Sequence, residues 1–491
     1  MTDAELILAA GALLAAGIGA SLLAARLRVP GLVLFLALGM AIGSDGTGRI
    51  DFNDYELART IGVIALALIL FEGGLTSGYL EIRSVLRPAL LLALVGTIAT
   101  AVITGLAASW LLGFSTLEGL LLGSILAATD GAAIFALLRG STLRRSLART
   151  LEGESGFNDP VAVLLVLGFI DWIRVDGYGL LDMTWLFARE LAIGVVAGLL
   201  VGALAIRAFR RVNLETRGLY PVASIATAGI AYGGAAVIGG SGFLSVYVAG
   251  LALGGAHIPA KRTVTAFHEG AAWVAQIALF LTLGLLVFPS QLDDVLVKGT
   301  LIGLVVMLIA RPVAAGLATA FDRYSANERI VLGWAGLRGA VPVVLATFPV
   351  ISHVPNSLEF FNIVFFAVVL STLIQGTSFE PFARWLGTTT TEPALPRPLA
   401  ETGTIRGLGA EVVEYAVGDR DAIVGSRVRE LGLPRQALVS VIVRGDEAIP
   451  PRGSTAVQAG DRLHVLIRQE VAKEFATVIE RWRGDHSPPG D

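Results

Sequence analysis

The sequence predicts an all-α polytopic membrane protein followed by a small α+β domain at the C-terminal end. Three observations lead there. The chain of 491 residues is 54% hydrophobic and 16% charged, with a mean hydropathy of +0.73, outside the range of soluble globular domains. Apolar windows of about 20 residues, the length that crosses a bilayer, recur up to Trp385. Beyond it, charged and alternating segments replace them. A net charge of −3 gives no footprint for nucleic acid, and the absence of cysteine excludes disulfides, thiolate metal sites and sulfur nucleophiles. The start, Met1-Thr2-Asp3-Ala4-Glu5, is acidic, so the run behind it reads as a first span rather than a cleaved leader.

Thirteen spans are predicted, over 4–25, 30–44, 58–76, 88–112, 117–138, 155–173, 185–207, 218–238, 241–255, 270–288, 297–320, 328–350 and 358–385. Loops after the odd-numbered spans up to the eleventh hold sixteen Lys and Arg, whereas the opposite loops hold Arg49, Arg59, Arg174, Arg189 and Lys298. Cytoplasmic loops carry the basic excess, which puts the N-terminus outside and the C-terminal domain in the cytoplasm. Spans 2 and 9 are short and alike: Gly31, Gly39, Ala41 and Gly43 recur 211 positions later as Gly242, Gly250, Ala252 and Gly254. Gly74-Leu75 likewise meets Gly284-Leu285, and Asp130-Gly131-Ala132 meets Arg338-Gly339-Ala340. Spans 1–6 and 8–13 thus form two repeats, with span 7 as linker. An odd number of spans between their starts inverts one against the other, as in secondary transporters.

Spans 5 and 12 are interrupted near their middles, at Thr129-Asp130-Gly131 and at Gly336-Leu337-Arg338-Gly339-Ala340-Val341-Pro342. Breaks at membrane depth are tolerated where the freed backbone lines a cavity or meets polar partners. After the membrane region (1–386), residues 387–403 read as a Thr/Pro-rich linker and 404–484 as a soluble module, with 485–491 as a disordered tail. In the module, Val412–Val417, Ala437–Arg444 and Leu463–Arg468 read as strands, Ser426–Leu431 as a short helix and Glu470–Arg483 as a closing amphipathic helix.

Ionisable groups placed at depth are Glu72, Asp130, Glu154, Asp159, Arg311 and Arg338, and each is costly enough to require a use or a partner. The stretch Glu154-Ser155-Gly156-Phe157-Asn158-Asp159-Pro160 opens span 6, with Asn158 suited to cap it and Pro160 to its first turn. Burial among carboxylates favours the protonated form of Asp159, and a bound cation favours the ionised form, so cation and proton compete for one group. Glu154 is assigned a structural pairing with Arg338. Asp130 is assigned to half-helix N-termini and Arg338 to half-helix C-termini. Glu72, in Phe71-Glu72-Gly73-Gly74, is placed within reach of the cation.

Thr129-Asp130 in one broken helix, Glu154-Ser155-x-x-Asn158-Asp159-Pro160 in the next span and Gly336-x-Arg338-Gly339 in a second broken helix resemble the cation/proton antiporter superfamily, in its Asn-Asp, electroneutral branch. The similarity covers the whole membrane region. It implies that Asp159 binds the ion or the proton, that Ser155, Glu72 and the backbone around Thr129 help coordinate K⁺ or Na⁺, and that Asp130, Asn158 and Arg338 steady two crossed broken helices, spans 5 and 12. Gly131 departs from the proline that often follows Thr-Asp in this family. The soluble module, through Gly425-x-x-Val428-x-x-Leu431-x-Leu433-Pro434, Val441-x-Val443-Arg444-Gly445, Ile449-Pro450-x-Arg452-Gly453 and Gly460-Asp461-Arg462-Leu463, resembles the C-terminal subdomain of potassium-conductance regulators. That resemblance implies dimerisation and a small regulatory ligand of nucleotide type.

Other features read plainly. Gly177-Tyr178-Gly179 lacks the residues of a potassium filter before it, Gly194, Gly198 and Gly202 form a small-xxx-small face for close helix packing, within the chain or between subunits, His257 and His268 read as solvated loop histidines, and Arg311-Pro312 reads as a kink at the cytoplasmic interface. The reading is a cell (inner) membrane antiporter exchanging K⁺ for H⁺ by alternating access, homodimeric, without cofactor. The alternatives are Na⁺/H⁺ exchange or an ion channel with the same regulatory module. For an enzyme, the chain offers no nucleophile–base pair, metal-ligand cluster or phosphate loop.

Overall fold

A computed structural model describes residues 2–27, 29–48, 50, 52–138, 141–212, 214, 216, 218–390, 400–405, 410–419, 421–445 and 447–483. The chain folds as two compact units, residues 1–395 and 396–491. The first is helical: α1 Asp3–Leu27, α2 Gly31–Ile42, α3 Tyr55–Ile82, α4 Leu86–Leu91, α5 Thr97–Leu112, α6 Thr116–Ala127, α7 Gly131–Leu138, α8 Arg145–Arg174 and α9 Leu180–Arg211. It continues with α10 Leu219–Val237, α11 Gly242–Gly255, α12 Lys261–Leu285, α13 Leu296–Val305, α14 Arg311–Ala318, α15 Ala326–Trp334, α16 Ala340–Ile351 and α17 Ser357–Trp385. Among the described residues, seven helices are long and apolar enough to cross a membrane, with five shorter apolar helices beside them.

Local chemistry sets the ends that matter. The first halves of the two interrupted helices, α6 and α15, open on matching capping boxes, Ser115 with Glu118 and Ser325 with Glu328. A π-helical turn, Leu92–Gly96, joins α4 to α5, and a second, Val306–Ala310, joins α13 to α14. Glycines set the closest crossings. Gly39 of α2 meets Gly284 of α12, where an added Cβ on either would lie 2.9 Å from the other's Cα. Gly74 of α3 meets α11 at Gly250, where its Cβ would stand 2.6 Å from the Tyr247 carbonyl oxygen. Gly194, Gly198 and Gly202 of α9 form the expected close-packing face, and it packs on Ser241, Ser245 and Ala249, at and within α11 of the same chain.

Several helices outrun their apolar windows. Helix α8 starts at Arg145, ten residues before the predicted span at 155, because the charges that ended the window are paired inside the protein. Asn158 therefore caps nothing, and Pro160 lies in the helix interior. His268, expected in solvent, is fully buried on α12, with its Nε2 2.7 Å from Ser224 Oγ.

The second unit is a five-stranded antiparallel sheet in the order β1-β2-β5-β3-β4, formed by β1 Ala400–Ile405, β2 Ala410–Ala416, β3 Ala437–Arg444, β4 Glu447–Ile449 and β5 Arg462–Arg468. Helix α18, Ala472–Trp482, lays Phe475, Val478, Ile479 and Trp482 on Tyr415, Ile442, Leu463 and Val465. The segment Ser426–Leu431 holds a 3₁₀ turn, Val428–Glu430, instead of an α-helix. The predicted linker is shorter than 387–403. Its first residues bond to the loop before α8, through Arg144 N–H to the Thr388 carbonyl (3.0 Å) and Thr390 N–H to the Thr142 carbonyl (2.6 Å), and β1 begins at Ala400. Residues 391–399 and the predicted tail 485–491 lie outside the described residues.

Candidate functional site

The two interruptions meet face to face. Between α6 and α7 the backbone is extended at Ala128, and the Asp130 N–H donates to the Leu337 carbonyl (3.0 Å) in the break between α15 and α16. The Asp130 carboxylate then serves two helices. Oδ1 accepts from Ala133 N–H of α7 (3.2 Å) and Oδ2 from Ala340 N–H of α16 (2.9 Å). Each N-terminus carries roughly half a positive charge, so one buried carboxylate stabilises both. Gly339 is required here, because a Cβ would occupy the space of that carboxylate.

The second break is held by α17. Ser371 Oγ accepts from Arg338 N–H (3.2 Å), Thr372 Oγ1 donates to the Arg338 carbonyl (2.7 Å), and Gln375 Nε2 donates to the Trp334 carbonyl (2.9 Å). These are the polar partners that an interrupted helix needs away from water. Arg338 itself donates Nη1 to the Gly336 carbonyl (3.1 Å).

Glu154 does not pair with Arg338. Arg311 Nη2 donates to Glu154 Oε2 (2.7 Å) and lies 2.6 Å from Oε1, with both side chains essentially fully buried. Arg311 reaches it by crossing over Gly336, where a Cβ would press on the guanidinium stem. Both glycines of Gly336-x-Arg338-Gly339 thus mark places where a buried charged side chain passes the backbone. One turn before Glu154 stands a second buried pair, Arg149 with Glu152 (2.6 Å), which also accepts from Ser77 Oγ.

On α8, Asn158 Nδ2 donates to Thr129 Oγ1, and Thr129 Oγ1 lies 3.4 Å from Ser155 Oγ, which ties this helix to the first break. Asp159 is 4% exposed, and its Oδ1 has no hydrogen-bond partner among the described residues. It faces a cleft lined also by Asp130, Ser155, Gly156 and Tyr247, with apolar walls that include Leu70 and Phe280. The α3 residues on this cleft are Leu66, Ile69, Leu70 and Gly73. Glu72 lies beside that four-residue face on α3 and accepts from Thr76 Oγ1 (3.1 Å).

Residues 11–385 match the family described as sodium/hydrogen exchanger, transmembrane. The chain belongs to this family. Residues 412–479 match the TrkA-C domain, which accords with the soluble module's predicted kinship. The chain is 37% identical over 479 residues to a protein of Shewanella baltica named K(+)/H(+) antiporter NhaP2, covering 96% of this chain and 82% of that one. It is 36% identical over 478 residues to the K(+)/H(+) antiporter NhaP of Alkalimonas amylolytica, covering 96% and 83%. Its fold resembles the solved sodium proton antiporter MjNhaP1 of Methanocaldococcus jannaschii, with a TM-score of 0.67 at 23% identity, covering 78% of this chain and 99% of that one.

For this exchanger-family chain, the sequence brought out Asp159, Ser155, Thr129, Asn158 and Asp130, and the structure gathers these five around the crossing. It left Arg311 at the interface and passed over Tyr247 and the stripe Ser371, Thr372 and Gln375. The stripe carried a signal, since polar residues at i, i+1 and i+4 in an apolar helix form one patch that must find partners.

Proposed function

We propose that the protein exchanges a monovalent cation for H⁺ at Asp159 by alternating access. The observation that carries this reading is a buried carboxylate with an unpartnered oxygen, facing an apolar cleft where two half-helix N-termini converge. An ionised carboxylate in such walls is costly unless a cation or a proton neutralises it, so release of one requires uptake of the other. Competition at one group is exchange. Ser155 and Thr129 supply neutral oxygens beside it, and Asn158 fixes Thr129. Glu72 is left out of this ion set in favour of the oxygens of α8 and the first break, since the α3 residues lining the cleft are Leu66, Ile69, Leu70 and Gly73.

Potassium is favoured over sodium, supported by the names of relatives at 37% and 36% identity and by the TrkA-C domain. We read the membrane unit as thirteen spans in two inverted repeats. The matched capping boxes, the two π turns and the paired glycine crossings of α2 on α12 and α3 on α11 support that reading. The orientation, N-terminus outside and TrkA-C domain in the cytoplasm at the inner membrane, rests on the basic loops. A homodimer and a nucleotide-type ligand rest on family resemblance.

The test is reconstitution. In proteoliposomes, adding K⁺ or Na⁺ should collapse a preset pH gradient without creating a membrane potential. Cation current without proton movement would instead make the protein a channel. Asp159→Asn should abolish exchange, with melting temperature retained; undiminished exchange by that variant would remove Asp159 from the mechanism.

A further inference from the structure

Two oxygens of the cleft have no role in the exchange just described. Tyr247, on α11, is 1% exposed, and its phenol oxygen has no hydrogen-bond partner among the described residues. Its ring stands edge-on to Phe157, centroids 5.0 Å apart, and its tip lies directly on Gly156 of α8, where any Cβ would collide with it. The second oxygen is the Gly156 carbonyl. In a continuous helix it would accept the N–H of residue 160, but Pro160 has none, and among the described residues no side chain donates to it. Gly156 and Asp159 are three residues apart, on the face of α8 that lines the cleft with Tyr247.

Three oxygens of residues lining this cleft thus lack a side-chain donor among the described residues: Asp159 Oδ1, Tyr247 Oη and the Gly156 carbonyl. A carboxylate and a carbonyl only accept, and a phenol can present its lone pairs. Orphaned acceptors gathered in apolar walls fit a partly dehydrated cation, whose water shell such oxygens replace. We propose that Tyr247 Oη and the Gly156 carbonyl are ligands of the transported cation, completing with Ser155 the shell around Asp159. Pro160 leaves that carbonyl free. Neutral oxygens on one side of the carboxylate fix how far from it the ion sits, so they bear on which alkali cation is preferred. This assignment rests on Asp159 being the exchange site.

The test uses the full chain in proteoliposomes. Tyr247→Phe keeps the ring and removes the oxygen. Pro160→Ala restores the N–H and ties the carbonyl into the helix. Each should raise the KM for K⁺ about tenfold, lower the maximal rate by less than that and alter the K⁺/Na⁺ ratio, with melting temperature unchanged for the first and unchanged or higher for the second. Asp159→Asn is measured in parallel. If it exchanges normally, the site itself is wrong. If it is inactive while both other variants keep the parental KM and ion ratio, the ligand assignment is overturned. A shift in one variant alone retains that oxygen and removes the other, and should Tyr247→Phe not fold, Pro160→Ala decides.

Discussion

Glu154 and Arg311 are the residues whose energetics are most one-sided. Both are buried and joined at 2.6–2.7 Å, too far from solvent for it to take over as partner to either charge. Glu154→Gln leaves the guanidinium without its counter-charge, which in a buried pair costs about 3–5 kcal/mol. The variant should therefore melt well below the parent in detergent, and Glu154→Gln combined with Arg311→Met should recover most of the loss. A single variant as stable as the parent would show that Arg311 has another counter-charge. The pairing was illegible in the sequence for a physical reason. Arg311 directly succeeds the π turn Val306–Ala310, which inserts one extra residue and rotates the rest of the helix by about 100°. An arginine near the end of an apolar window reads as reaching the interface, and its partner Glu154 lies 157 positions away in the sequence. Asp159 was readable because it stands with Asn158 and Pro160 at the head of an otherwise apolar run.

At the scale of elements, the two breaks work as one unit because a single carboxylate caps both N-termini. Gly339→Ala should drive a methyl group into Asp130, forcing it off Ala340 N–H and the helices apart. Overpacking of about 1–3 kcal/mol and loss of a cap of about 1 kcal/mol add here. Both melting temperature and exchange rate should fall. Gly234→Ala in α10 is the counterpart, since nothing stands within 4 Å of a Cβ there. It should stabilise by up to about 1 kcal/mol and leave exchange unchanged. Equal behaviour of the two variants would mean that Asp130 does not hold the crossing. The breaks were legible as Gly and Pro inside apolar runs, and so were the strands and α18 of the second unit. The start of α8 was not, because a hydropathy window stops at charges whose partners, Ser77 and Arg311, lie far away in sequence. Likewise β1 begins inside what composition marks as linker.

At the scale of the whole molecule, the two units have separate cores, so a lesion in one should stay there. Asp461 gives the means to check this. Its carboxylate is buried at the foot of β5 and accepts from Arg444 Nε and Nη2 (2.8 Å each) and from Gln458 N–H (2.8 Å). Burial by itself would raise its titration, but the bonds from Arg444 and Gln458 outweigh it and hold the group below its ordinary value. A carboxyl depressed in the folded state adds stability above its unfolded value, near 3.9, and loses it as pH falls through the folded one. Asp461→Asn removes charge-assisted bonds of about 1.5–3 kcal/mol. At pH 7 amide exchange in β3, β5 and α18, corrected for intrinsic rate, should speed up about 10- to 100-fold, and the gap from the parent should close as the pH drops below about 4. Peptides of α7, α8 and α16 should keep parental protection at every pH. Loss of protection there would mean that the TrkA-C unit helps hold the exchange site folded.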